Sequence, residues 1–313
     1  MTDLSHGLPD SEVTTRIANT REALNADGLC GLLGYGDALR TANVGYFTDF
    51  RPLDGVSDIA MGVVLLPVDG DPILFAGGST FTWAREVTPF EVRVIADLPD
   101  AIAEFARRHP GQELGLAGGD YIPMRLYKAI EGALGGVRLR DTIALARVKA
   151  KKSDWEVEQL RMASSLTDAA IGAIRDALAD GPRSERELSR AAEIAMLQGG
   201  ADAVGYRSMV QAGPRSAHSL ALPTDRMLQP GDLVMTDIGA RYRGYVADGG
   251  RGFGYGELDE AHQSVIDASV SAVEAGLAAV KPGITADALN AVIQSSLVES
   301  GYADYSNEAK GHG

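Results

Sequence analysis

A chain of 313 residues is long enough for two domains, and 45% hydrophobic with 23% charged residues is the balance of a globular protein. A formal net charge of −14 argues against a nucleic-acid partner, which would need clustered Lys and Arg, and disfavours anionic membranes. The single cysteine, Cys30, permits no intrachain disulfide and reads as a small core residue rather than a nucleophile; with no signal-peptide pattern and no apolar run of membrane-spanning length, the expected compartment is the cytoplasm.

The first dozen residues read as a loose arm. Residues 11–24 carry Val13, Ile17 and Leu24 at helical spacing, with Ser11 as the predicted N-cap. Residues 28–33 predict a short buried strand, and residues 42–50 (ANVGYFTDF) a strand-turn segment. Residues 61–76 predict a hairpin, two apolar runs flanking a turn with Asp69-Gly70. Further strands are expected at 92–95, 114–117 and 137–139, with helices at 99–109 and 123–134. This alternation describes an α/β domain. Next, Arg147, Lys149, Lys151 and Lys152 precede a capping box, Ser153 with Glu156, which starts a helix running towards Leu178. The domain boundary is placed near Ala150, giving domains 1–149 and 150–313. A second capping box, Ser184 with Glu187, opens another helix. A strand at 208–213, a loop at 222–231, a long helix at 260–280 and a Thr285-capped helix follow.

Residues 235–253, MTDIGARYRGYVADGGRGF, hold the most informative chemistry. Asp237 and Asp248 sit in apolar, Gly-rich surroundings that predict two antiparallel strands. Pairing partners in a hairpin have a constant index sum. A sum of 485 sets Ala240 against Tyr245 and Asp237 against Asp248, on one face. Facing carboxylates repel unless a cation lies between them, and one or two divalent metals would meet that need. Against this, aspartates beside glycine in a β-ribbon are commonly just solvated. The apolar lead-in Leu233-Val234-Met235 favours the metal, because an unpaired carboxylate in a buried strand is costly. Of five histidines, His6 falls in the arm, His109 at a helix end and His262 early in a long helix. His218 lies in a loop just upstream of Asp237, and His312 lies between two glycines.

Taken together these features resemble the pita-bread metallohydrolases, which include aminopeptidase P, prolidase and creatinase. Residues 43–50 are similar to that family's Asn-x-x-Tyr-Leu-Thr-Gly-Phe element. Residues 147–163 resemble the start of its catalytic domain. Gly231-Asp232-Leu233-Val234 running into Asp237-Ile238-Gly239 and ending at Asp248 resembles the segment that supplies two metal ligands. Gly311-His312-Gly313 resembles the segment that supplies a histidine ligand.

The resemblance implies a creatinase-like α/β N-terminal domain followed by an α+β pita-bread catalytic domain. It implies a dinuclear site of two aspartates, one histidine and two glutamates. Asp237, Asp248 and His312 take the first three positions. The two glutamates normally lie downstream of the histidine and have no counterpart, so the expectation is that the C-terminal part of the catalytic domain is missing from this sequence. Two divalent ions are implied, Mn²⁺ by the oxygen-rich donor set, with Zn²⁺, Co²⁺ or Fe²⁺ also compatible. The expected activity is Xaa-Pro peptidase-like hydrolysis of a peptide or small amide, with His218 as the catalytic residue that stabilises or protonates the tetrahedral intermediate. Two departures keep alternatives open. Relatives carry a His three residues before the Pro of Pro-x-Asp-Arg; here that position is Leu220, and His218 lies two residues earlier. Gly249-Gly250-Arg251-Gly252 replaces a Thr-Arg-Thr tendency. These departures suit a small-molecule C–N hydrolase of the creatinase or ectoine-hydrolase type, and the absent glutamates suit a non-catalytic binding protein of the same fold. The prolidase branch also implies a homodimer.

Overall fold

The computed structural model describes residues 7–53, 60–218 and 220–306. It contains two compact units. The first comprises residues 1–159 with 243–245, and the second comprises 160–242 and 246–313.

In the first unit the chain runs α1 (Asp10–Ala26), β1 (Leu29–Asp37), α2 (Ala42–Gly45), β2 (Met61–Pro67), β3 (Ile73–Ala76), α3 (Phe81–Glu86), β4 (Glu91–Val94), α4 (Leu98–Arg108), β5 (Glu113–Ala117), α5 (Met124–Ala133), β6 (Arg138–Asp141) and α6 (Ala144–Ala150). The strands form one mixed sheet in the order β4-β3-β2-β1-β5-β6. The predicted hairpin is present as the antiparallel pair β2/β3, with Leu65 opposite Ile73. Both faces of the sheet are covered at its centre, which explains why the central strands β1 and β2 read as apolar runs. Leu32, Val64, Leu66 and Leu74 pack on one side with Phe47 and Phe50. Leu33, Val63, Leu65 and Phe75 pack on the other with Ile102 and Phe105. Cys30 is buried, its thiol donating to the Glu113 carbonyl at 3.1 Å. Burial pushes that thiol up to about 11, the setting of a core residue rather than a nucleophile.

Two local expectations are corrected. Residues 42–50 do not form a strand; the segment begins with the single turn α2. Val44, Phe47 and Phe50 recur every third residue and are all fully buried, a helical rather than an alternating period. Helix α1 begins one residue before Ser11, with Pro9 as its N-cap, so Ser11 lies inside the first turn. The same helix buries an unforeseen charge, Arg16, which is 2% exposed. Its guanidinium donates to Glu12 at 2.9 Å, the Tyr46 carbonyl at 2.9 Å and the Tyr245 hydroxyl at 2.8 Å. That donor satisfaction, with Glu156 at 3.6 Å, is what makes a buried cation tolerable.

Helix α7 (Asp154–Ala179) follows, and the two compact units divide within it, between Gln159 and Leu160. Its start is the predicted capping box: Ser153 Oγ accepts from Glu156 N–H at 3.2 Å, and Glu156 accepts from Ser153 N–H at 3.0 Å. The second unit continues through α8 (Glu185–Gln198), β7 (Ala203–Val204), β8 (Met209–Ala212), β9 (Asp232–Ile238), β10 (Ala240–Tyr242), β11 (Tyr245–Val246), β12 (Gly249–Tyr255), α9 (Glu260–Ala279) and α10 (Ala286–Glu299). Two three-stranded sheets result, β12-β9-β8 and β11-β10-β7. Leu166, Ile174, Leu188, Met196, Val234 and Ile238 form the core beneath them. The second capping box is also present, Ser184 with Glu187. Ser184→Ala should cost about 1 kcal/mol of stability, read from chemical denaturation, because it removes one cap acceptor. Among the described residues, no helix is long and apolar enough to cross a membrane.

Candidate metal centre

Strand β9 alternates. Asp232, Val234, Thr236 and Ile238 are buried, whereas Leu233, Met235 and Asp237 are half-buried. Asp237 therefore stands on the face away from the core, not in a dry strand interior as the apolar lead-in suggested. Leu233 and Met235 line an open cavity of about 320 Å³ with Val265 and Ile266 of α9.

The expected register is corrected. Gly250, not Asp248, lies opposite Asp237 in the β9/β12 ladder, so the index sum is 487 rather than 485. The cause is the turn: Arg243 and Gly244 carry φ of 48° and 80°. These are the two positive values of a type I′ hairpin, placed one residue later than the index sum assumed. Both sums are odd, so the side-chain parity survives. Asp248 is a diagonal neighbour of Asp237 on the same face, a spacing side chains still bridge.

The two carboxylates meet at a third residue. The Tyr206 hydroxyl lies 2.6 Å from Asp237 Oδ1 and 2.9 Å from Asp248 Oδ1. Tyr206 follows β7, and β7 pairs with β10, Val204 opposite Ala240. Gly205 N–H donates to the Gly239 carbonyl at 2.7 Å and seats the tyrosine beside the hairpin. Gly239 makes room for it. A Cβ there would overlap the Ala247 carbonyl and approach the Tyr206 ring to 2.8 Å. Burial, and then hydrogen bonding to the two carboxylates, pushes the Tyr206 hydroxyl strongly upward, so it stays protonated. Sequence reasoning missed this residue. The one signal that pointed to it is the glycine before it.

A phenol has one proton, and here it faces two carboxylate oxygens. Only one of the two contacts can be a hydrogen bond donated by Tyr206; the other brings lone pairs together. Three hard oxygen donors brought together suit a divalent cation. Among the described residues, no three His, Cys, Asp or Glu side chains come together as a metal-binding group. His312 lies outside the described residues. His218 is exposed at the end of the 3₁₀ turn Gly213–Ala217, where its backbone N–H donates to the Arg215 carbonyl.

The His218 loop, between β8 and β9, is held by two partly buried ion pairs. Arg226 binds Asp232 in two bonds of 2.6 and 3.0 Å. Arg215 Nε lies 3.1 Å from both oxygens of Glu185. Burial alone would raise both carboxyls, but their donors outweigh it, and Glu185 and Asp232 titrate below their ordinary values. Such groups stabilise the fold fully above the ordinary carboxylate range, and that contribution is lost as pH falls through their depressed values. Thermal melts should therefore show a loss of stability on acidification that Asp232→Asn removes in part.

Comparison with known proteins bears on this geometry. The profile of metallopeptidase family M24 matches residues 158–313, and that of the creatinase/prolidase N-terminal domain matches residues 16–163. The chain belongs to the pita-bread metallohydrolases of family M24. The Xaa-Pro dipeptidase of Pyrococcus furiosus is 28% identical over 276 residues, covering 88% of this chain and 75% of that protein. The Xaa-Pro dipeptidase of Pyrococcus horikoshii is 30% identical over 162 residues, covering 52% of this chain and 46% of that protein. Among solved structures, the prolidase of Thermococcus sibiricus superposes with a TM-score of 0.81 at 23% identity, over 96% of this chain and 80% of that one. The two-domain M24 architecture is thus established, with a creatinase-type N-terminal domain ahead of the metallohydrolase domain. Divalent metal ions belong to the chemistry of this family.

Proposed function

We propose that this M24 metallohydrolase is an Xaa-Pro peptidase in which Asp237, Asp248 and His312 hold divalent metal, with Mn²⁺ as the native ion. The catalytic domain in this proposal begins at residue 150, and the enzyme acts in the cytoplasm as a homodimer. The observation that carries the reading is the convergence of Asp237 and Asp248 on one phenol, at the open face of β9. The named activity of the Pyrococcus relatives supports the substrate class.

The bound ions would supply a water that is acidic near neutral pH and would polarise the scissile carbonyl. The chain's own residues do the rest. Asp237 and Asp248 would provide the negative charge that holds the ions on the sheet. Tyr206 keeps its proton and orients one carboxylate oxygen, fixing the direction of the donors. His218 delivers a proton to the departing proline nitrogen, which is a poor leaving group as an anion.

The test is hydrolysis of Xaa-Pro dipeptides by the purified protein after chelation and readdition of single metals, with amides and guanidino compounds as a parallel panel. Mn²⁺ or Co²⁺ should restore cleavage of the Xaa-Pro bond, and His218→Ala should lower kcat by about 10²–10⁴. Turnover with no divalent ion, or turnover confined to the non-peptide panel, overturns the proposal.

A further inference from the structure

One buried carboxylate closes both ends of the loop that carries His218. Glu185 is the first residue of α8 and is fully buried. It accepts the Ala212 N–H at 2.9 Å, the Thr224 N–H at 2.9 Å and the Thr224 hydroxyl at 2.7 Å. Arg215 Nε adds contacts of 3.1 Å to both oxygens. Ala212 is the last residue of β8, and Thr224 belongs to Pro223-Thr224-Asp225-Arg226. His218 lies midway between these two anchors. The anchored strand is also the one that bears on the candidate site, because Met209 of β8 pairs with Asp237 and Ala212 with Val234. Secondary ties act in the same direction: Arg215 donates to the Leu222 carbonyl at 2.8 Å, and Gln211 donates to the Ala221 carbonyl at 3.0 Å.

We infer that Glu185 is a positioning residue, which sets the loop bearing His218 in register with the strand ladder bearing Asp237. A fully buried carboxylate is a costly way to fill space, and an apolar residue would pack there more cheaply. Every donor around this one comes from the loop or its two ends. It also sits in the first turn of α8, where the helix dipole favours a negative charge. The inference rests on the proposed peptidase reading only where it assigns His218 a task on the substrate.

The experiment uses the full 313-residue protein and Glu185→Gln. The amide has one acceptor oxygen and an NH₂ that faces the former donors, so at least one loop amide loses its partner. Hydrogen exchange at Ala212 and Thr224 should quicken by about tenfold or more, and the His218 imidazole resonances should shift. Mn²⁺ affinity should be unchanged, and kcat should fall more than KM rises. Exchange rates and His218 resonances equal to those of the parent overturn the inference. If Glu185→Gln does not fold, Thr224→Val, which removes only the hydroxyl donor, should move the same two readouts by less, and unchanged readouts again overturn it. A parent inactive on every Xaa-Pro dipeptide, with exchange and resonances nevertheless shifted in the variant, refutes the peptidase reading and supports the role of Glu185.

Discussion

Asp248→Asn should leave the metal-free protein as stable as the parent or slightly more so, and should abolish the stabilisation that added Mn²⁺ gives. The two signs have different causes. Without metal, Asp237 and Asp248 crowd one Tyr206 hydroxyl, and removing one charge relieves like-charge repulsion. With metal, the same carboxylate is a donor. Loss of an indirect partner of a metal ligand commonly costs ten- to hundredfold in affinity, so loss of a donor should cost at least about a hundredfold. At a free Mn²⁺ concentration of about 100 Kd the parent should gain about 2.7 kcal/mol, and the variant close to none. Thermal melts with and without Mn²⁺ read both effects. A variant that is destabilised equally in both conditions would mean that Asp248 is a structural residue.

Gly239→Ala should be the most damaging single-methyl change in the second unit. The added Cβ overlaps the Ala247 carbonyl, which is backbone and cannot rotate away, and it crowds the Tyr206 ring. Overpacking of this kind typically costs about 1–3 kcal/mol when side chains can yield, and a backbone obstruction should put this change at or above the upper end. The displacement falls between Asp237 and Asp248, so metal uptake should fail even in the fraction that folds. Denaturation midpoint and Mn²⁺ titration together check this. Wild-type stability with normal metal uptake would show that the hairpin is far more plastic than its packing implies.

The features read correctly from sequence are those that depend on local period and parity. The Ser153/Glu156 and Ser184/Glu187 boxes mark helix starts because their chemistry is complete within four residues. Asp237 and Asp248 share a face because an odd separation guarantees it in any regular two-residue hairpin. The register itself was not legible, since it depends on which residues take positive φ, and Arg243 is a residue that rarely does so. Tyr206 was not legible because it lies 31 residues before Asp237 and arrives through the pairing of β7 with β10. Nothing in the local pattern around Arg16 marks it as buried. Its burial depends on partners far along the chain, including Tyr245 at a separation of 229. Residues 42–50 were misread for a different reason. Five aromatic or β-branched side chains in nine residues look like a strand, while the three-residue spacing of Val44, Phe47 and Phe50 decides the outcome.

The most direct test is anomalous diffraction at the manganese edge from crystals of this protein grown with Mn²⁺. A peak within about 2.0–2.2 Å of one carboxylate oxygen from each of Asp237 and Asp248 is the expected result. A well-ordered Asp237–Tyr206–Asp248 cluster with no peak beside it, or a peak elsewhere in the molecule, would contradict the assignment of these aspartates as the metal-holding pair.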